Sequence, residues 1–169
     1  MSKIMKIGLM SDTHSFLDAK VFEYFKEVDE IWHAGDIGIE DIANQLEQFK
    51  PFRAVYGNID SAQIRHRYPE NLRWTVNGLE VFMTHIGGYP GKYPARIKEE
   101  LTATRPGLFI CGHSHILKIM PDKSFNLIHI NPGACGNEGW HKVKTLVRFD
   151  VSDGKIQNLE VIEIGLRGR

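Results

Sequence analysis

The sequence predicts an α/β fold built on two sheets, the first rich in parallel strands and the second in antiparallel ones. Three observations carry that expectation. In the first half, short apolar runs alternate with helix-spaced stripes, the β-α-β-α-β order that calls for parallel strands joined by crossover helices. In the second half, short apolar runs follow one another around two tight-turn dipeptides, Asn77-Gly78 and Asp153-Gly154. Finally, five of these runs end in Asp, Asn or His.

Taken in order, Ile4 to Met10 is the first strand, and Val21, Phe22, Phe25 and Val28 are spaced for one face of a helix. Glu30 to Ala34 is a second short strand. Ile39, Ile42, Ala43 and Leu46 recur at i, i+3, i+4 and i+7, the clearest helical stripe in the chain. Phe52 to Tyr56 is a third strand. Leu72 to Val76 and Leu79 to Thr84 form a hairpin around Asn77-Gly78. A helix starting near Pro94 carries Ile97 and Leu101 inward. Leu108 to Cys111, Ile116 to Met120, Phe125 to Ile130, Leu146 to Val151 and Ile156 to Ile164 read as mostly antiparallel strands. With no repeat, low-complexity tract or linker, residues 1–169 read as one domain.

Composition excludes several classes. Apolar and charged fractions of 42% and 25% are those of an ordinary globular chain, long enough for a substantial core. Lys plus Arg equals Asp plus Glu at 21 each, so bulk charge would not draw the chain to a polyelectrolyte. The stretch from Met1 to Lys6 lacks a signal-peptide pattern, and no apolar run reaches the roughly 18 residues of a membrane span. Cys111 and Cys135 are too few for a disulfide framework and read as reduced thiols of a cytoplasmic protein.

Function lies in what ends each apolar run. The first ends in Asp12-Thr13-His14, the second in Gly35-Asp36, and the third in Gly57-Asn58-Ile59-Asp60. Thr84-His85 and Gly112-His113-Ser114-His115 end two more. Alone, each has an ordinary reading: a turn, a helix cap, a hydrogen-bonded histidine. Together they set oxygen and imidazole donors at the carboxyl ends of five strands, where binding sites of α/β sheets form. Gly35, Gly57 and Gly112 each precede a ligand-type residue, where a Cβ would obstruct close approach. His33 is either a supporting neighbour of Asp36 or a satisfied strand histidine. His66, His129 and His141 fall outside the pattern.

The ordered set Asp12-x-His14, Gly35-Asp36, Gly57-Asn58-x-Asp60, His85 and Gly112-His113-x-His115 resembles the calcineurin-like metallophosphoesterase superfamily. The short chain and the downstream Asn131-Pro132-Gly133 look most like its minimal YfcE-type phosphodiesterases. The resemblance implies four layers, two packed mixed sheets flanked by helices. It implies a first metal on Asp12, His14, Asp36 and His115, and a second on Asp36, Asn58, His85 and His113, with Asp36 bridging through two separate oxygens. The thiolate-free donor set suits Mn, Fe, Ni or Zn, with Mn the ion the resemblance favours. The implied activity is hydrolysis of a small phosphate ester, Asp36, Asn58, His85 and His113 acting through a metal-bridging hydroxide, with Asp60 supporting a ligand or capping the next segment.

Two departures from the family pattern bear on activity. Many relatives carry a histidine where Ile59 stands, and some carry one two residues after the His85 equivalent, where Gly87 stands. Loss of these imidazoles removes candidate proton donors to a leaving group. The alternatives to a phosphodiesterase are a non-catalytic scaffold of the same fold, like the retromer subunit, and a nuclease. Intact ligand positions count against the first, and the missing basic segment counts against the second. The expected partner is a small phosphate ester, with no membrane and no long nucleic acid. Whether the chain works as a monomer or a homo-oligomer stays open.

Overall fold

The computed structural model describes residues 3–168; Met1 and Ser2, where the segment read for a leader begins, lie outside the described residues. One five-stranded sheet contains β1 (Met5–Met10), β2 (Glu30–His33), β3 (Phe52–Ala54), β9 (Val143–Ser152) and β10 (Lys155–Leu166), in the order β10-β9-β1-β2-β3. The other contains β4 (Asn71–Val76), β5 (Leu79–Thr84), β6 (Leu108–Ile110), β7 (Leu117–Asp122) and β8 (Leu127–Pro132), in the order β4-β5-β6-β8-β7. The helices are α1 (Lys20–Tyr24), α2 (Glu40–Phe49), α3 (Ala62–Arg67) and α4 (Ala95–Thr104).

Burial explains the layering. Strands covered on both faces read as apolar runs, as β6 and residues 7–10 of β1 do. Ile7, Leu9 and Trp32 of the first sheet, with Val55 just after β3, meet Val81, Met83, Leu108, Ile110 and Ile130 of the second in one cluster. On the outer face of the first sheet, Ile31 packs with Val21, Phe25, Ile42, Ala43, Leu46 and Ile64 from the α1, α2 and α3 segments. Ile97 and Leu101 of α4 cover Phe82 and Phe109 on the outer face of the second. The result is the expected four-layer arrangement of helices, sheet, sheet and helix.

Both hairpin signals hold. Val76 pairs with Leu79, and Ser152 with Lys155. Asn77 and Gly78 have φ of 44° and 81°, Asp153 and Gly154 of 50° and 75°, as a type I′ turn demands. Pro121 lies in β7, tolerated because β7 is an edge strand.

Three expectations need correction, and one helix is added. Ile39 does not join the inner stripe: it is the N-cap of α2 and 53% exposed, while Ile42, Ala43 and Leu46 are buried. Helix α1 ends at Tyr24, so Phe25 and Val28 reach the core from the turn after it. Helix α3, capped by Ser61 accepting from the Ile64 amide at 3.3 Å, was not foreseen because its six residues are too short for a periodic signal. The late strands are not one antiparallel sheet. β6 runs parallel to both β5 and β8, whereas β9 and β10 return to flank β1. An Asp-Gly turn specifies the β9–β10 hairpin but not the distant strand it joins.

Candidate metal centre

The loops after β1, β2, β3, β5 and β6 meet at one end of the two sheets. Backbone hydrogen bonds stitch them together. The Asp12 amide donates to Gly35 O at 3.0 Å, the His14 amide to Asp36 O at 3.0 Å, and the Gly112 amide to His85 O at 2.9 Å. Asp12, His14, Asp36, His113 and His115 all adopt positive φ, between 45° and 71°. Such geometry costs a non-glycine residue about 1–3 kcal/mol, and its concentration in these loops makes them a candidate functional site.

Six predicted residues form two adjacent groups, Asp12 with His14 and His115, and Asp36 with His85 and His113, each group's donor atoms lying within 4.8 Å of one another. Asp36 faces both groups. Its Oδ2 lies 3.3 Å from His14 Nε2 and 3.1 Å from His85 Nε2. Its Oδ1 is turned away and accepts the Ile59 amide at 3.0 Å. Both contacts therefore converge on one oxygen, rather than on the two expected. Asp12 Oδ1 lies 3.2 Å from His115 Nε2 and 3.8 Å from His85 Nε2, while its Oδ2 accepts from Ser11 Oγ and the His113 amide. Asn58, the seventh residue, is exposed on the same loop as Ile59 and lines a hollow beside His85.

The donor atoms fit metal ions. His85 Nδ1 donates to Ala34 O at 2.8 Å, so its Nε2 presents a lone pair toward the carboxylate oxygens. His141 Nε2 donates to Gly136 O at 2.8 Å, leaving His141 Nδ1 to accept from His115 Nδ1 at 3.3 Å. His115 Nε2 is thereby also bare, facing Asp12. Lone pairs this close repel unless a cation lies among them. Accordingly Asp12 Oδ1, His14 Nε2 and His85 Nε2 are buried with no hydrogen-bond partner.

Electrostatics agree. Burial alone would raise Asp12 and Asp36, but with the facing rings protonated in place of a bound cation, His115 and His14 for Asp12 and His14 and His85 for Asp36 hold both carboxyls far below the usual range. The same carboxylates, Asp12 first, lift His14 to about 10. Burial lowers His113, and neighbouring His85 lowers it further. The carboxylate pair calls for positive charge in their midst.

Several supporting residues act through backbone. Asp60 accepts the amides of Gly38 at 2.8 Å, Ile37 at 3.2 Å and Gly57 at 2.8 Å, tying the Asp36 loop to the Asn58 loop; the capping role falls to Ser61. His33, pushed down to about 3 by burial, accepts the Gly35 amide on Nδ1 at 3.1 Å. Its Nε2 then donates to Thr13 Oγ1 at 3.1 Å, and Thr13 donates to Ile37 O at 2.7 Å. Asn131 Nδ2 donates to Gly112 O and Ser114 Oγ, both at 3.0 Å, bracing the His113 loop from below. A Cβ on Gly57 would fall 2.0 Å from Asp36 Oδ1, so glycine is required by the carboxylate itself.

Sequence reasoning left His141 out; it belongs to neither group, but its ring contacts His115 at 3.3 Å. It has no strand end before it, and its only herald is the glycine-rich stretch from Gly133 to Gly139. His66 is exposed, and His129 is buried beneath α4 against Tyr93; neither belongs to the two groups. Cys111 and Cys135 are buried and free, their thiols pushed up to about 12 by burial.

The family model of the calcineurin-like phosphoesterase superfamily domain matches residues 5–154. The chain belongs to this superfamily. Within it, a Methanothermobacter thermautotrophicus protein named "Probable metallophosphoesterase" is 29% identical over 140 residues, 77% of each chain. The structure of a novel archaeal phosphodiesterase superposes with a TM-score of 0.75 at 23% identity, covering 95% of this chain and 100% of that one. Vps29 of Chaetomium thermophilum superposes with a TM-score of 0.74 at 14% identity, covering 97% and 100%. Calcineurin-like phosphoesterases and Vps29 thus share this architecture.

Proposed function

We propose that this chain, residues 1–169 working as one domain, is a metal-dependent phosphodiesterase that hydrolyses small phosphate esters at a two-metal site. Asp12, His14, His115 and Asp36 would hold one divalent ion, and Asp36, His85, His113 and Asn58 the other. The observation that carries the reading is Asp36 Oδ2, which faces a histidine of each group at 3.3 and 3.1 Å, so that this one carboxylate could serve both. Two divalent ions held by these residues (Mn by family preference, with Fe, Ni or Zn also suited to the donors) would supply Lewis-acid charge to phosphoryl oxygens and acidify a bound water.

The chain's own residues do the rest. Asp12 and Asp36 set two negative charges among neutral imidazoles, leaving the loaded site net positive toward an anionic ester. The Ala34 carbonyl and His141 fix the tautomers of His85 and His115, so neither of these rings has to turn before it can ligate. His113 and Asn58 are the exposed members and define the face from which substrate enters. Ile59, 47% exposed at that face, moves no proton to the departing oxygen; its contribution is the amide that holds Asp36. Esters with good leaving groups should therefore react much faster than alkyl esters.

The experiment is hydrolysis of aryl phosphodiesters by metal-stripped protein with and without Mn, Ni or Zn. A large metal-dependent gain, lost in His113→Ala and in His115→Ala, is expected. Tight metal binding with no hydrolysis of any ester would instead favour a scaffold role for a fold shared with Vps29.

A further inference from the structure

Beside His85 and Asn58 lies a hollow of about 170 Å³, lined by Tyr56, Arg65, Glu70, Thr84, Ile86 and Arg96 together with those two residues. Its charges are distinctive. Arg65 donates from Nε to Asp60 O at 2.9 Å and from Nη2 to Asn58 O at 3.1 Å, its guanidinium 4.8 Å over the Tyr56 ring. Arg96 donates from Nη2 to Ile86 O at 2.5 Å. Both cations are thus oriented by neutral carbonyls. Neither forms an ion pair among the described residues, unlike Arg53, Arg67, Arg73 and Arg148. Each keeps donors free for a further acceptor. Two un-neutralised guanidinium groups against the single carboxylate of Glu70 leave the hollow positive, directly beside a candidate metal ligand.

We infer that this hollow receives a second anionic group, a carboxylate or phosphoryl carried on one substituent of the ester, and that Arg65 and Arg96 set specificity for it. The inference rests on the phosphodiesterase reading for what lies at the metal site. Planar guanidinium groups match either anion with paired, charge-assisted hydrogen bonds. The wall carries aliphatic and aromatic surface from Ile86 and Tyr56 for the linker between the two charges.

The test uses Mn-loaded protein and nitrophenyl phosphodiesters whose second arm, of two to five methylenes, ends in methyl, carboxylate or phosphonate. At the best arm length, kcat/KM should favour an anionic end over methyl by about tenfold or more, the better anion identifying the source. The ratio should fall toward one in Arg96→Gln and in Arg65→Gln, and Arg96→Lys should keep most of it. A ratio near one at every length in the natural protein, or one surviving in the doubly substituted protein, overturns the assignment. If no diester is hydrolysed, the catalytic reading has failed separately. Calorimetric binding of ω-carboxyalkyl, ω-phosphonoalkyl and plain alkyl phosphonates to the same proteins then decides. Tenfold tighter binding of an anionic probe, lost with the arginines, supports the pocket, and equal affinities refute it.

Discussion

Asp36 meets both histidine groups through one oxygen while the Ile59 amide holds the other, so under the proposed reading one side chain would serve both ions. Asp36→Asn should release both and lower kcat/KM by more than the roughly 10–100-fold typical of a supporting residue. Asn58→Ala, which removes one neutral oxygen, should cost less. Elemental analysis with steady-state kinetics checks this, and an Asp36→Asn protein keeping two ions and near-normal turnover would contradict it. His141 makes a different claim. As the acceptor for His115 Nδ1–H it presents the His115 lone pair to Asp12. His141→Phe should weaken metal affinity by about 10–100-fold, read by competition with a chromogenic chelator. Unchanged affinity would reduce the contact to packing.

At the scale of elements, short strands and tight loops fix the candidate ligands, and helices cover the sheets. Helix α2 shows how far periodicity can be trusted. Its stripe of Ile39, Ile42, Ala43 and Leu46 reads as uniform, yet Leu46 is fully buried and Ile39 is 53% exposed. Leu46→Ala should cost about 2–5 kcal/mol of unfolding free energy, by lost transfer and a residual cavity. Ile39→Ala should stay within about 0.5 kcal/mol. Urea titrations of the two variants test the assignment, and equal losses would restore Ile39 to the stripe. The glycine ahead of Asn58 shows a similar limit: it looks like a turn residue but is required because the Asp36 carboxylate fills the space of its Cβ.

For the whole molecule, the candidate ligands come from loops of both sheets, so ions there would tie the sheets together at one end. Ions that bind the folded chain alone stabilise it by about 2.7 kcal/mol at a hundredfold excess over Kd. Mn should therefore raise Tm and a chelator lower it, with Asp36→Asn giving little response in a thermal melt. Equal responses from both proteins would place the ions elsewhere. Acid acts on another layer. Burial, reinforced by Lys118, pushes His129 from its ordinary 6.5 down to about 4. The folded chain then binds fewer protons than the unfolded one between those values, so this contribution is complete above about pH 6.5 and is lost as pH falls toward 4. The slope is at most about 1.4 kcal/mol per pH unit. Denaturant unfolding from pH 4 to 8 in chelator should show a shallower acid loss for His129→Gln, and parallel profiles would exclude His129 as a source.

Local pattern determined much of this protein. Runs buried on both faces, Asn77-Gly78 and Asp153-Gly154 announced strands and turns because their constraints are met within a few residues. The polar residues ending five runs announced a metal-type constellation because strand ends and their loops are also local. The rest needed the tertiary structure. Which sheet β9 and β10 join, why Ile39 faces outward, the convergence on one Asp36 oxygen, the His141 contact and the arginine-lined hollow each depend on residues far apart in the chain. Their spacing leaves no mark, because side-chain direction and lone-pair orientation are decided only when separate loops pack against one another.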